Sequence, residues 1–415
     1  MRYKNTWHRV KEAIKDMAMI WRYENRLTIH DEGVLIFFLL VPLLYPLLYA
    51  WIYNNEVVRD VPVAVVDYSH SHESREFIRL CDASPDVQVA YHCTNLQEAQ
   101  DLMGRQKVSG ILLFPDDFAH DVNRGEQARV SVYCDMSLML NYKAIYMTAQ
   151  NVALRMSSDI QVKGSPTAIT KRDEEITTRP LDFEEVQIFN PTGGYGNAII
   201  PAVLMIIIQQ TLLLGIGLAA GTSREQNRYH DLVPISRHYN GVFRIVGGKA
   251  LCYFMIFAVI SAYLTMIVPR MFGFTMLAQP RALIGLMVPY LLACIFFGIT
   301  ISCLMRYREN VMLVVVFTSM IFLFLSGISW PKSSIPGFWQ GVSWLFPSTF
   351  GVRGFLTIGS MGGSLEDIRT EYEALWLQVI IYFLLSCAVY QVQINRAIEH
   401  VHERTGKWWN KRVKS

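Results

Sequence analysis

Six apolar runs of the length a bilayer demands lie along this chain, and their spacing is uneven. Crossing the hydrocarbon core takes about 20 apolar residues. The runs are 34–53 (VLIFFLLVPLLYPLLYAWIY), 197–220, 250–269, 282–305, 311–328 and 374–394. One stands alone near the N-terminus and five crowd the second half. Between them lies a polar stretch of about 140 residues, large enough for a core of its own. Composition agrees: 52% of residues are hydrophobic and 18% charged, against roughly 25% charged in soluble domains. The expected fold is an α-helical integral membrane protein of six transmembrane helices (1 + 5) with an inserted α/β extracytoplasmic domain. The net charge of +3 gives no reason to expect a nucleic-acid partner.

Lys and Arg near the run ends set the orientation. They cluster before the first run (Arg2, Lys4, Arg9, Lys11, Lys15, Arg22, Arg26) and after the second (Arg224, Arg228, Arg237, Arg244, Lys249). They recur after the fourth (Arg306, Arg308) and in the tail (Arg396, Arg404, Lys407, Lys411, Arg412, Lys414). With six spans these segments share one face, which is expected to be cytoplasmic with both termini. The first run reads as an uncleaved anchor, being too long for a signal peptide and lacking a small-x-small site.

The map that follows has a cytoplasmic amphipathic helix over 1–33 and span one over 34–53. The outer domain occupies 54–195. A five-span region, 196–394, carries a cytoplasmic loop at 221–249 and a broken segment at 329–355. A basic tail fills 395–415. In the first helix Trp7, Val10, Ile14, Met17 and Trp21 recur at spacings of three and four. They line one face, expected to lie on membrane lipid.

The outer stretch alternates. Strands are expected at 61–67, 87–91, 108–114 and 128–135. Helices are expected at 72–82, 95–104 (capped by Asn95) and 137–157, with a short one after Pro115. No catalytic constellation accompanies them. His70, His72, His92 and His120 have no metal-ligand spacing, and neither a G-x-S-x-G elbow nor a C-x-x-C pair occurs. Cys81, Cys93 and Cys134 are odd in number, so a disulfide among them stays open. FRIVGGKA (243–250) imitates a phosphate loop, but Phe243 and Ala250 stand where a Gly and a hydroxyl residue are needed. Any ATP must therefore be bound by another subunit.

Two segments carry the functional signal. The loop 221–249 is too long for a bare turn. It alternates charge through Arg224, Glu225, Arg228, Asp231 and Arg237, with a bend at Pro234. The second segment is FLSGISWPKSSIPGFW (324–339), where an apolar run breaks into Gly, Ser and Pro amid aromatics. Pro331 disfavours helix at Trp330, so span five is expected to stop there, and Gly327 would give room for a neighbouring helix.

The order of these features resembles the ABC-2 type permeases of bacterial ATP-driven exporters, in the branch with a large extracytoplasmic domain after the first span. The resemblance rests on the amphipathic segment before span one, VPLLYPLLY and VPVAVVD. It rests too on a loop opening SRE with Val233-Pro234 downstream, on Gly248-Lys249, and on LSGISWP…IPGFWQGVSWLFPSTFGVRGF (325–355). The family loop often reads RExxxGTxExL; here Glu225 and Asp231 stand without the Gly-Thr pair between them.

The resemblance implies a half-transporter that pairs with a second permease copy, identical or paralogous. Two ABC ATPase subunits, carrying the ATP and magnesium, would dock at Arg224, Glu225, Arg228, Asp231, Pro234 and Arg237. It implies a re-entrant exit gate built from Gly327, Trp330, Pro331, Pro336, Phe338, Trp339, Trp344 and Pro347. The expected location is the bacterial inner membrane. The expected substrate is a lipophilic or amphipathic solute, and the outer domain could dock a periplasmic adaptor leading to an outer-membrane channel. Three other readings compete. A transmembrane sensor needs a cytoplasmic signalling domain, and the tail is short. A secondary transporter would show two similar halves and charges inside spans. A membrane enzyme would need a catalytic constellation.

Overall fold

The computed structural model describes residues 2–54, 57–164, 172–173, 178, 188–190, 193–225, 241–305 and 307–412. The chain forms two compact units, one of residues 55–188 and one of residues 1–54 with 189–415.

The 55–188 unit is built on a four-stranded sheet: β1 (Val61–Asp67), β2 (Val87–Cys93), β3 (Gly110–Phe114) and β4 (Ser131–Cys134). The order is β2-β1-β3-β4, with β1 parallel to both neighbours and β4 antiparallel to β3. Both faces of β1 are covered, which is why VPVAVVD reads as a continuous apolar run rather than an alternation. One face packs Val65, Leu112 and Phe114 against Phe77 and Cys81 of the helix His72–Asp82 and against Ala149 and Val152 of the helix Met139–Gly164. The other packs Ala64, Val66 and Ile111 against Cys93 and Ala99. Ser71 caps its helix in a reciprocal box with Ser74, and Asn95 accepts from the Glu98 N–H at 2.8 Å. The Cys81–Cys93 bridge left open by the sequence is not formed: the two thiols lie under opposite faces of the sheet.

The other unit contains six helices long and apolar enough to span a membrane: Glu32–Ile52, Gly196–Thr222, Val242–Met271, Pro280–Leu304, Arg308–Leu325 and Arg369–Asn395. Spans two and four form its core through Leu204, Ile208, Leu212, Tyr290 and Ile295. Spans one and five turn large apolar side chains outward, among them Leu44, Leu48, Trp51, Val316, Phe317 and Met320. Such a surface is stable facing lipid or protein, not water.

Three boundaries correct the sequence reading. Residues 242–249, expected as the end of the loop, already form the first two turns of span three. Span five stops at Leu325, ahead of Pro331. Gly327 takes a left-handed φ of +92°, and Arg353 donates to the Leu325 and Ser326 carbonyls at 3.4 and 3.2 Å. A left-handed glycine and a cation on the last carbonyls end a helix before any proline is reached. Gly327 is thus a helix terminator, and a Cβ there would lie 3.3 Å from Arg353 Nε of the helix Pro347–Phe355. The last helix runs without a break from Arg369 to Arg412, through most of the segment expected as a separate tail.

Candidate coupling and gate sites

The N-terminal helix (Arg2–His30) docks on span three. The docking needs Gly247 and Gly248. A Cβ at Gly248 would lie 2.8 Å from Ile20 Cβ and 3.1 Å from the Met17 carbonyl, so the two backbones touch only because that residue is glycine. Flanking this contact are two ion pairs. Arg244 Nη1 meets Asp16 Oδ2 at 2.6 Å, and Lys249 Nζ meets Glu24 Oε2 at 2.6 Å. The Tyr253 hydroxyl donates to the other Glu24 oxygen. Glu24 and Lys249 are almost wholly buried, with side chains 4% and 6% exposed. A charge so placed persists only when paired.

The row that the N-terminal helix buries is Asp16, Ile20, Glu24 and Thr28. The expected apolar face is turned differently: Ile14 is exposed, and Met17 and Trp21 are half-buried. The side chains of Trp7 and Val10 lie outside the described residues. The helix therefore docks on span three through a row that carries charge, and Met17, expected on the lipid face, packs against Gly247 instead. Lys249, expected in the loop before span three, lies inside that span.

The segment after span five folds back as a one-turn helix (Lys332–Ser334), then helices Gly337–Ser343 and Pro347–Phe355. The prolines define its joints. Pro331 and Pro336 each stand immediately before a helical turn, and Pro347 opens the third at its first position, where no N–H is needed. The next N–H, of Ser348, is satisfied from another span: it donates to Gln209 Oε1 at 2.6 Å. Gly351 fits beneath the ring of Tyr290, which a Cβ would meet at 2.3 Å, and the Tyr290 hydroxyl donates to the Met205 carbonyl at 2.6 Å. Span six holds the turn before it. Gln378 donates to the Trp344 carbonyl at 2.7 Å, and the Tyr382 hydroxyl to that of Leu345.

The expected gate residues divide into two sets. Gly327 and the three prolines shape the backbone. Trp330, Phe338, Trp339 and Trp344 are exposed, Phe338 at 75% and Trp339 at 46%, with the Phe338 and Trp339 rings 5.5 Å apart. Of the expected docking residues, Arg224 and Glu225 fall on the last turn of the span-two helix, with side chains outside the described residues. Arg228, Asp231, Pro234 and Arg237 lie outside them altogether. The sequence reading missed Glu24, Tyr253 and Gln209, and it named Lys249 without its partner. Gly-Gly-Lys at the head of an apolar run was the available signal for Glu24 and Tyr253: two small residues beside one charge that lipid would not tolerate.

Residues 33–388 match the family model described as ABC-2 family transporter protein. That covers most of the chain and both units. The chain belongs to the ABC-2 family. The ABC-2 permease is thus a membrane subunit without catalytic machinery of its own. Its described residues include no group of three His, Cys, Asp or Glu placed to hold a metal. The match begins at Gly33, so the N-terminal helix with Asp16 and Glu24 lies outside the matched residues. A search of curated proteins found no match.

Proposed function

We propose that this ABC-2 permease is the membrane half of an ATP-driven exporter, moving a lipophilic or amphipathic solute out of the cytoplasm or inner leaflet of a bacterial inner membrane. The family match across residues 33–388 carries this reading. Two copies, identical or paralogous, pair in the membrane with both termini cytoplasmic. ATP and magnesium sit on a separate ATPase subunit, which docks against the loop between spans two and three. Motion there enters span three at Val242, and the two ion pairs carry it to the N-terminal helix. The proline-jointed segment after span five is the outer gate, and the 55–188 unit faces the outside, where an adaptor leading to an outer-membrane channel would dock.

The test is purification from native membranes in mild detergent, followed by reconstitution. The permease should bring ATP-hydrolysing activity with it, and vesicles containing both should move an amphipathic dye only when ATP is supplied. Dye movement driven by an ion gradient without ATP would overturn the reading in favour of a secondary transporter.

A further inference from the structure

The sheet of the 55–188 unit has two edges, and they are finished differently. A strand edge presents unpaired N–H and C=O groups that invite another strand, and an edge that stays alone is usually blunted. The β2 edge is blunted twice. Its register with β1 slips between Val63 and Ala64, and its Val89 N–H is taken by Asp82 Oδ1 at 2.8 Å. The β4 edge carries neither device. Residues 131–134 pair with 110–113 in unbroken register, and SVYC holds no proline and no lysine.

In an antiparallel ladder, successive residues turn their backbone groups alternately toward and away from the neighbour. The Asp135 N–H donates to the Ser109 carbonyl at 3.0 Å, so Asp135, Tyr133 and Ser131 face β3. Val132 and Cys134 therefore face outward, with Val130 next in the series. Among the described residues no strand lies beyond them. A groove of about 650 Å³ runs beside this strand. Val130 and Val132 bound it together with the helices Phe118–Arg124 and Met139–Gly164, and no residue of β3 lines it. At the end of the strand Tyr133, Met136, Leu138 and Met139 are exposed, an apolar surface out of place in water.

The sequence along this edge is complementary to itself. Set Val132 opposite Val132 of a second copy, antiparallel, and Cys134 falls opposite Val130, Ser131 opposite Tyr133 and Arg129 opposite Asp135. The register that joins the outward backbone groups also joins opposite charges, and such cross-strand pairs stabilise a sheet. Arg129 is exposed. Asp135 already accepts the Ser137 N–H at 2.9 Å through Oδ1, and a carboxylate with lone pairs for about four donors has room for a guanidinium as well. The partner's Val132 would share a face with Val132 and extend the apolar floor of the groove. We propose that β4 pairs antiparallel with β4 of a second copy about a twofold axis at Val132, so that the two sheets become one. This rests on the reading that two copies pair, and adds that the 55–188 units hold the pair together as well as the spans.

The full chain, without its native cysteines, is oxidised in membranes with copper–phenanthroline and run on a non-reducing gel, and its mass in detergent is measured in parallel. Val132→Cys should link to itself, with Cα atoms about 5.5 Å apart. Ser131→Cys alone and Tyr133→Cys alone should not. Each meets its own copy only on the diagonal, roughly 7–8 Å away, beyond disulfide reach. Co-expressed, the Ser131→Cys and Tyr133→Cys chains should link to each other, at about 4.5 Å. Arg129→Asp sets carboxylate against carboxylate and should cut the Val132→Cys linkage about fivefold. A two-copy mass without linkage at residue 132 overturns the proposal and leaves pairing through the spans standing. A one-copy mass overturns both. Equal linkage at 131, 132 and 133, or undiminished linkage in Arg129→Asp, overturns the strand register and the proposal with it.

Discussion

Lys249 Nζ and Glu24 Oε2 are 2.6 Å apart across 225 residues of chain, and the pair is almost wholly buried. Removing either partner strands the other as a bare buried charge. Glu24→Leu is expected to destabilise the protein by about 3–5 kcal/mol. The double variant Glu24→Leu with Lys249→Met should recover most of that, since apolar replacement of a whole buried pair is often tolerated. Thermal melting in detergent reads both. A single variant as stable as wild type would mean that the pair is dispensable to the fold. In the double variant export should stay low while stability returns, and full export there would remove the pair from the coupling path.

Glu225 ends the span-two helix beside Arg224, at the threshold of the loop proposed to receive the ATPase. Reversing its charge should weaken docking on a basic surface and add repulsion. Glu225→Lys is expected to lower ATPase stimulation and export roughly tenfold, or ~1.4 kcal/mol, with membrane insertion intact. Normal export together with normal co-purification of the ATPase would show that residue 225 takes no part.

Trp339 is half-exposed on the helix Gly337–Ser343, stacked edge-on with Phe338. As a gate residue it should matter to transport more than to stability. Trp339→Ala is expected to change export rate or substrate preference with the melting temperature preserved. Trp339→Phe distinguishes anchoring from gating: if stability and transport fall together in the alanine variant and return together in the phenylalanine variant, the side chain only anchors the segment.

Topology is open to single-cysteine labelling in a background without native cysteines. Ser74, an obvious site by sequence, is fully buried, its hydroxyl bonded to Asp67 at 2.7 Å. Gln127 is exposed and serves instead. An impermeant maleimide should label Gln127→Cys but not Ser415→Cys in intact cells with a permeabilised outer membrane, and the opposite pattern would invert the orientation. In the wild-type chain Cys81 should stay unlabelled at pH 8. Burial pushes its thiol up to about 12, so at that pH almost none is thiolate.

What the sequence could and could not show follows the range of the interactions. VPVAVVD was legible as a buried strand because its pattern is local, and β1 spans the residues expected. Asn95 was legible as a cap for the same reason. The face that the N-terminal helix buries was not. Its apolar residues mark one stripe, but Asp16 and Glu24 are drawn inward by Arg244 and Lys249, partners more than two hundred residues away. No periodicity encodes that. The end of span five was misjudged because Pro331 is the louder local signal, whereas the stop comes from Gly327 with Arg353, 26 residues beyond it in the sequence and adjacent only once the hairpin has folded.

The Gln209–Ser348 hydrogen bond makes the gate helix conditional. Pro347 has no N–H to satisfy, and Thr349 reaches the Phe346 carbonyl at 3.1 Å, so Ser348 is the amide that depends on a distant span. One residue of axial slip in span two moves Gln209 by about 1.5 Å. Along the line of the bond, that displacement takes a 2.6 Å contact past its useful range. The order of the segment after span five is thereby indexed to the register of span two, like a bolt that closes at one setting of the shaft. Span two, which ends at the loop proposed to receive the ATPase, would in this way reach the segment proposed as the gate without any large movement between.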